Sequence, residues 1–312
     1  MSSTVVVGQI SRDLVLSVDA LPGARETARV LRRREVLGGK GANIAVALAQ
    51  LGLPVSLLGV VGDDHVAATL LNRARRDGVD VEPVVRREGA TTGLTVDVPD
   101  AHGDWHYLEH LPPEVQLTED DVASAAPTLR AARCAVIQLR QPTAAALAAA
   151  TLVRETGGLV VLDGAPPEGE HRDALLAAAD VLRTGTRQAC RLTGTDASDL
   201  DADLDADLAL GAAHALMDRH GIALVALGVP GADAFAWATG SRVVPHLATR
   251  VVDTTGAADA LCAALTSVLC RGGDAEEAVD LAVAAAAATV EHPGGRPNLT
   301  PRRLRRFLAA VG

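Results

Sequence analysis

Five short apolar runs, at 4–8, 55–61, 133–139, 159–163 and 222–227, alternate with helix-like stretches at 41–52, 64–77, 142–156 and 204–220. This alternation constrains the fold more than any other feature of the chain. It predicts an α/β architecture, with a mostly parallel sheet covered by helices on both faces. Two segments break the pattern. Residues 12–36 and 91–110 read as strands with no helix between them. Trp105 and Tyr107 alternate with His106 and Leu108, as strand residues do, so one face of that strand is unusually aromatic for this chain.

Two turns stand where strand-like segments pass into amphipathic helices. Asp253-Thr254-Thr255-Gly256-Ala257-Ala258-Asp259 precedes a helix with Leu261, Leu265 and Val268 on one stripe. A turn of small residues leaves backbone N–H groups aimed outward, backed by the positive end of the helix dipole, and so suits an anion. Asp259 places a carboxylate beside that cradle, the pairing needed to move a phosphoryl group onto a hydroxyl. Close helix packing accounts for the same small residues equally simply. Gly38-Gly39-Lys40-Gly41-Ala42-Asn43 precedes a second helix, with Ile44, Ala47, Leu48 and Leu51 on one face. Its glycines let backbone approach a ligand, and Asn43 offers both a donor and an acceptor, as sugar hydroxyls require. Lys40 is the only lysine in a chain whose other cations are arginines. Either the ammonium has a local task or it survives by chance in a glycine turn. A Walker A loop does not fit, because Gly41 follows the lysine where Ser or Thr is needed.

The two turns, in this order and about two hundred residues apart, resemble those of the ribokinase-type (PfkB) carbohydrate kinases. The resemblance runs nearly end to end. Val5-Val6-Val7-Gly8 and Asp13 look like the first strand and sugar-binding Asp, and residues 38–43 match the first signature. Leu58-Gly59-Val60-Val61-Gly62-Asp63-Asp64 is similar to the strand and turn after the first helix. Thr92-Gly93 sits at a lid strand, and Leu227-Gly228 with Gly231 at the nucleotide-side strand and turn. Residues 253–259 correspond to the second signature, and Pro293-Gly294-Gly295 to the loop closing the nucleotide site. The resemblance implies one three-layer ribokinase-like domain over 1–312, with a discontinuous β lid from about 12–36 and 91–110. It implies ATP and Mg²⁺ as cofactors. Gly228, Gly231, Thr254 and Gly256 would then bind the nucleotide, and Gly256, Ala257 and Ala258 would hold its γ-phosphate. Asp259 is the implied base, and Asp13, Gly39, Lys40, Asn43 and Arg140 the implied sugar site. Asp253 and Thr255 match a monovalent-cation (K⁺) site of some members. In ribokinase-like members two lids clasp into a homodimer. The aromatic lid face therefore serves either such an interface or packing on the chain's own body.

The chain departs from the family pattern in several places. Ala258 replaces the middle glycine of Gly-Ala-Gly-Asp. If that position needs left-handed geometry, the methyl costs roughly 1–2 kcal/mol, or about tenfold in rate. Gly185 and Gln188 stand where the family carries Asn-x-x-Glu, and a neutral amide cannot replace a carboxylate in organising Mg²⁺. Ala226 stands where a Thr often precedes Leu-Gly, and Asp163-Gly164-Ala165-Pro166 replaces Asn-Pro-Ala-Pro. Arg140 occupies a position that is often Glu. A cation there hints at an anionic acceptor, unless Arg140 faces solvent or pairs with Asp163.

Other features bound the reading. A chain of 312 residues forms one large α/β domain or two ordinary ones. With 48% apolar but only 2% aromatic residues, the core must be built from Ala, Val and Leu. The formal charge of −10 argues against nonspecific nucleic-acid binding. The basic run Arg302-Arg303-Leu304-Arg305-Arg306 reads as the polar face of a last helix beginning near Thr300, with Leu304 and Leu308 inward. Cys134, Cys190, Cys262 and Cys270 show no metal or disulfide spacing and read as small apolar fillers. No signal peptide or membrane span is evident, so a cytoplasmic protein is expected. His102, His106 and His110 would align on a helix. On a strand, neighbours in that series stand about 13 Å apart, which argues against a metal site. The acidic stretch 196–207 lacks the Gly and Glu of an EF-hand and reads as a solvated loop.

Two functions remain open on the sequence. One is ATP-dependent phosphorylation of a sugar or sugar-derivative hydroxyl, with a nucleoside kinase as its variant. The other is a catalytically impaired member that binds a sugar-like ligand without efficient turnover.

Overall fold

The computed structural model describes residues 4–102, 104–194, 206–292 and 297–311. The first part of the chain forms β1 (Thr4–Val7), β2 (Ser11–Ser17), β3 (Arg32–Gly38), α1 (Lys40–Gln50), β4 (Val55–Leu58) and β5 (Val60–Gly62). It continues through α2 (His65–Arg76), β6 (Val79–Asp80), β7 (Val85–Arg87), β8 (Gly93–Pro99) and β9 (Trp105–His110). The middle comprises α3 (Glu119–Ser124), α4 (Ala126–Arg130), β10 (Cys134–Gln138), α5 (Thr143–Arg154), β11 (Leu159–Asp163) and α6 (Arg172–Ala177). Then come β12 (Val181–Gly185), α7 (Thr186–Thr193), α8 (Ala206–His220), β13 (Leu224–Val229), β14 (Ala232–Trp237) and β15 (Gly240–Pro245). The chain closes with α9 (Ala257–Leu269), α10 (Ala275–Val290) and α11 (Pro301–Val311).

Nine strands form the main sheet in the order β15-β14-β13-β12-β11-β10-β1-β4-β6. It is parallel from β13 to β6, and β14 and β15 extend it antiparallel. Strand side chains alternate between two cores. Val6 and Val136 face one, while Val5, Val7, Ala135 and Ile137 face the other. The first core is closed by α1, α2, α9, α10 and α11, the second by α3 to α8. These are the three layers that the alternation predicts. The scarcity of aromatics shows where α9 meets α10. Ala260, Ala263 and Ala264 on one helix and Ala284, Ala285 and Ala288 on the other are all buried, and such small side chains let helix axes approach closely.

The chain begins at β1 near the middle of the sheet, winds outward through β4 and β6, then returns to β10 and winds the other way. The strand order reverses between β1 and β10. In open parallel sheets, ligands gather beyond the carboxyl ends of the strands at such a reversal. Gln9 follows β1 and Arg140 follows β10 at that end.

Strands β3, β2, β8 and β9 make a separate four-stranded sheet. Asp13 lies opposite Thr95, Asp97 opposite Tyr107 and Thr95 opposite Glu109, so these five share one face. Leu14, Leu16, Leu94, Val96 and Leu108 share the other, where Leu108 is 66% exposed. Trp105 stacks on Tyr107 with ring centroids 6.3 Å apart. The face that carries Asp13 and Asp97 turns toward the chain's own body, although Tyr107 on it stays 55% exposed, and the aliphatic face looks outward. Asp64 ties this sheet to the main body. One of its oxygens caps α2 through the Ala67 N–H at 2.8 Å, and the other accepts the Thr92 N–H, also at 2.8 Å.

Three local expectations are corrected. The run at 55–61 is two strands, because Gly59 packs against Gly8 and β5 leaves the main sheet to pair with β7. On α11, Leu304 and Phe307 are the buried pair, and Leu308 is only partly covered. Cys134, Cys190 and Cys262 are buried fillers, whereas Cys270 is only half-buried at the edge of the first core, with its Sγ 3.8 Å from the Thr4 hydroxyl. Gly103, most of the acidic stretch (195–205) and the 293–296 loop lie outside the described residues.

Candidate active site

Gly38 ends β3 opposite Ser11, on the strand that carries Asp13. A Cβ at Gly38 would fall 1.9 Å from the Asp13 carboxyl, so only glycine lets the two strands close here. Asp13 is buried, accepts the Ser11 hydroxyl at 2.8 Å, and is pushed up to about 6 mainly by burial. Gly39 caps α1, whose first residue is Lys40. One turn on, the Asn43 amide donates to Asp259 Oδ2 at 3.0 Å. The turn at 38–43 thus reaches across the molecule to the turn at 253–259.

In that second turn, Asp253 Oδ1 accepts the Thr255 N–H at 2.9 Å, and Ala257 N–H folds back onto the Thr254 carbonyl at 3.3 Å. Gly256 takes the left-handed conformation (φ 76°) and caps α9. The N–H groups of Gly256 and Ala258 have no backbone acceptor among the described residues. The anion cradle therefore rests on these two, because Ala257 is already engaged. Ala258 lies inside α9 and its backbone has no positive φ. The strain anticipated for its methyl does not arise, because Gly256 makes the left-handed step. Asp259 is 2% exposed. Its Oδ1 accepts no hydrogen bond among the described residues and stands 3.5 Å from Lys40 Nζ. The nearby carboxylate holds the Lys40 ammonium above its ordinary pKa.

Two cavities meet at this turn. One, of about 310 Å³, is lined by Gln9, Asp13, Gly39, Lys40, Asn43 and Asp259 from the body and by Thr95, Asp97, Tyr107 and Glu109 from the small sheet. The other, of about 290 Å³, is largely aliphatic. Its walls include Gly228, Val229, Leu247, Val283 and Val290. Thr254 and Ala258 belong to both. The first cavity carries hydroxyl-binding groups, the second suits a flat apolar ring, and the cradle lies at the seam.

Most of the residues expected from the sequence gather here. Asp13, Gly39, Lys40, Asn43, Arg140, Gly256, Ala258 and Asp259 line the polar cavity, and Gly228, Thr254 and Ala257 line the apolar one. Gly231 does not line it; it turns β13 into β14, and its carbonyl accepts the His246 N–H. Arg140 does not meet Asp163, and its side chain stays 47% exposed. It pairs with Glu109 of β9, across the mouth of the polar cavity. Asp163 instead takes Arg183, 3.3 Å away.

Sequence reasoning missed Arg183, which lines the apolar cavity from β12, and Asp97, Tyr107 and Glu109 on the small sheet. Period-two spacing of 95, 97, 107 and 109 could have marked the last three, but only the pairing shows which face turns inward. The Asp233–His246 contact (3.4 Å) on the apolar side was likewise invisible, since the two meet only through the β14–β15 pairing. The Asp233 carboxylate raises the His246 pKa.

The Gly185–Gln188 pair does not offer a carboxylate. Gln188 Oε1 accepts the Thr184 hydroxyl at 2.8 Å and caps the start of α7. Among the described residues no cluster of three or more His, Cys, Asp or Glu is arranged to hold a metal. The side chains present do not fit a protein-held Mg²⁺. The buried Thr255 hydroxyl lies beside Tyr107, two residues from the Asp253 carboxylate, and these oxygens are of the kind a monovalent cation takes. No helix among the described residues is long and apolar enough to cross a membrane.

Known proteins resemble this chain in sequence and in fold. A family model described as "pfkB family carbohydrate kinase" matches residues 1–302. The ATP-dependent ribose-1-phosphate kinase of Halopiger xanaduensis is 30% identical over 311 residues, covering 99% of each chain. The ribokinase of Haemophilus influenzae is 27% identical, covering 96% of this chain and 95% of its own. Among solved structures, the ribokinase of Thermotoga maritima superposes with a TM-score of 0.82 at 23% identity, over 99% of this chain and all of that one. The Arabidopsis thaliana ribokinase solved with ribose and ATP gives 0.79 at 24% identity, over 98% of each. With its two signature turns joined at one seam and the match spanning nearly its whole length, this chain belongs to the pfkB family of carbohydrate kinases, which are phosphotransferases.

Proposed function

We propose that this protein phosphorylates a hydroxyl of a sugar or sugar derivative with ATP, using Asp259 as the general base. The observation that carries this reading is the placement of the Asp259 carboxylate. Oδ2 is fixed by Asn43, while the buried Oδ1 accepts no hydrogen bond among the described residues and stands 3.5 Å from the Lys40 ammonium, in a residue that lines the polar cavity at the seam. A sugar held by Asp13 and the 38–43 turn would direct its hydroxyl proton to Oδ1. ATP in the apolar cavity would present its γ-phosphate to the N–H groups of Gly256 and Ala258. The hydroxyl oxygen then bonds to phosphorus in line as the bond to ADP breaks, and the proton passes to Asp259. Lys40 and Arg183 flank the seam from either cavity, where negative charge spreads in a loose transition state. The small sheet would act as a lid that keeps water from the phosphoryl group. A monovalent cation would sit by Asp253 and Thr255. A second copy of the chain would cover the lid's aliphatic face.

Arg140 is neutralised by Glu109, which removes the specific ground for an anionic acceptor. The binding-only alternative keeps one supporting observation, the capping role of Gln188 where a carboxylate would serve Mg²⁺. Asp259→Asn separates the readings. ATP-dependent phosphorylation should fall by about 10²–10⁴-fold, the usual contribution of a positioned base, with sugar binding retained in calorimetry. Undiminished turnover in this variant would remove Asp259 from the role. Heat from a sugar but none from Mg-ATP in the unaltered protein would favour the binding-only alternative.

A further inference from the structure

Asp97 has no part in the scheme above, yet it is the least satisfied side chain of the polar cavity. It is 3% exposed and lines the cavity from β8. Among the described residues no hydrogen bond or ion pair reaches its carboxyl. Every other carboxylate lining that cavity is engaged. Glu109 has Arg140, Asp259 has Lys40 and Asn43, and Asp13 has the Ser11 hydroxyl. The register of β2, β8 and β9 sets Asp97 on the same face as Asp13, one diagonal step away, and directly opposite Tyr107.

The charges leave a defined gap. The two cations that line the cavity, Lys40 and Arg140, are each matched by one acid, so Asp13 and Asp97 together have no counter-ion among the described residues. The groups facing Asp97 are Asp13 from β2, Asp253 from the loop before α9, and Tyr107 from β9. None is a cation. A buried carboxylate without a partner is costly, and it persists where a ligand completes it.

We infer that Asp97 and Asp13 together receive a protonated amine of the substrate, so that the acceptor is an amino sugar or amino polyol. This rests on the reading of the cavity as the acceptor site and deepens it by naming the acceptor's chemical class. An ammonium has three donors and no acceptor, which suits two acid groups on one face. A neutral hydroxyl would bring no counter-charge to either of them, and an anionic group at that end would be repelled. Burial, with Asp13 and Asp253 nearby, pushes the Asp97 carboxyl up to about 7. Near neutral pH part of the population is therefore protonated. Arrival of an ammonium would favour ionisation and release a proton to the buffer.

The test is calorimetric and needs no turnover. D-ribose and D-glucose would be titrated into the full chain at pH 7, beside their deoxyamino analogues with the amine at each non-terminal carbon in turn. Matching N-acetyl derivatives serve as uncharged controls. One amine position should bind at least about tenfold more tightly than its parent sugar and its N-acetyl form. Its heat should change with the ionisation enthalpy of the buffer, as proton release requires. In Asp97→Asn, that preference should shrink to within about twofold, and the buffer dependence should weaken. Sugar binding without amine preference, or a preference that survives in Asp97→Asn, would overturn this inference and leave the sugar-kinase reading standing. Absence of binding by every sugar would overturn both.

Discussion

Asp97 has a consequence for the protein without ligand. Its ordinary pKa is 3.8 and the fold holds it at about 7, chiefly through burial. Below pH 4 the carboxyl is protonated in both folded and unfolded chains and costs nothing. As pH rises from 4 to 7 the unfolded chain ionises while the folded one resists, so stability is lost across that window. Asp97→Asn escapes the loss. The variant should match the parent at pH 4 and exceed it at pH 8 by on the order of 2 kcal/mol, discounting for solvent that enters the cavity. Urea unfolding at the two pH values measures this, and an equal gain at both would refute the cause. A second residue-scale expectation concerns Cys270. The neighbouring Cys134 and Thr4 and the cations Arg133 and Arg271 bring its pKa down to about 6, whereas the shared contact with Cys270, followed by burial, drives Cys134 well above 9 and burial does the same to Cys262. Limiting iodoacetamide at pH 7 should label Cys270 first, and its rate should drop about tenfold by pH 5 as thiolate is lost. Peptide mapping that finds another cysteine labelled first would contradict this.

At the scale of elements, the turn into α9 divides its tasks. Gly256 makes the left-handed step, and Ala258 sits in an ordinary helical conformation one residue inside the first turn. A glycine at 258 therefore relieves nothing and loosens the helix start. Ala258→Gly should lower stability by about 0.5–1 kcal/mol without raising kcat. A tenfold gain in kcat would mean that the methyl does obstruct phosphate. The same lesson appears at α7. Gln188, read along the chain as a lost metal-organising acid, serves as a helix cap once the fold is seen. Motif comparison showed that the carboxylate was missing but could not show what the amide does instead, because capping depends on how Thr184 and Gly185 leave β12.

The whole molecule is a nine-stranded sheet between two helix layers, with a four-stranded sheet standing over the reversal of strand order. The outer face of that small sheet carries Leu14, Leu16, Leu94, Val96 and Leu108. An aliphatic face of this kind favours a covering partner. If a second copy covers it, light scattering after size exclusion should give twice the 32.0 kDa chain mass, and Leu108→Asp should return the monomer. A monomeric parent at micromolar concentration would refute the proposed clasp. Much of this protein was legible in its sequence. The alternation of short apolar runs with amphipathic stretches determined the layered sheet, since strand and helix periods are local properties of the chain. The turns at 38–43 and 253–259 announced the cradle and its base, because glycine and carboxylate spacing acts within a few residues. The tertiary structure alone decided which charges meet. Arg140 finds Glu109 rather than Asp163, Arg183 takes Asp163, and Asp97 faces the cavity with no partner among the described residues. Each pairing joins residues from different strands or loops. Strand register and the close approach of two sheets settle it, and neither quantity is written in the spacing of residues along one segment.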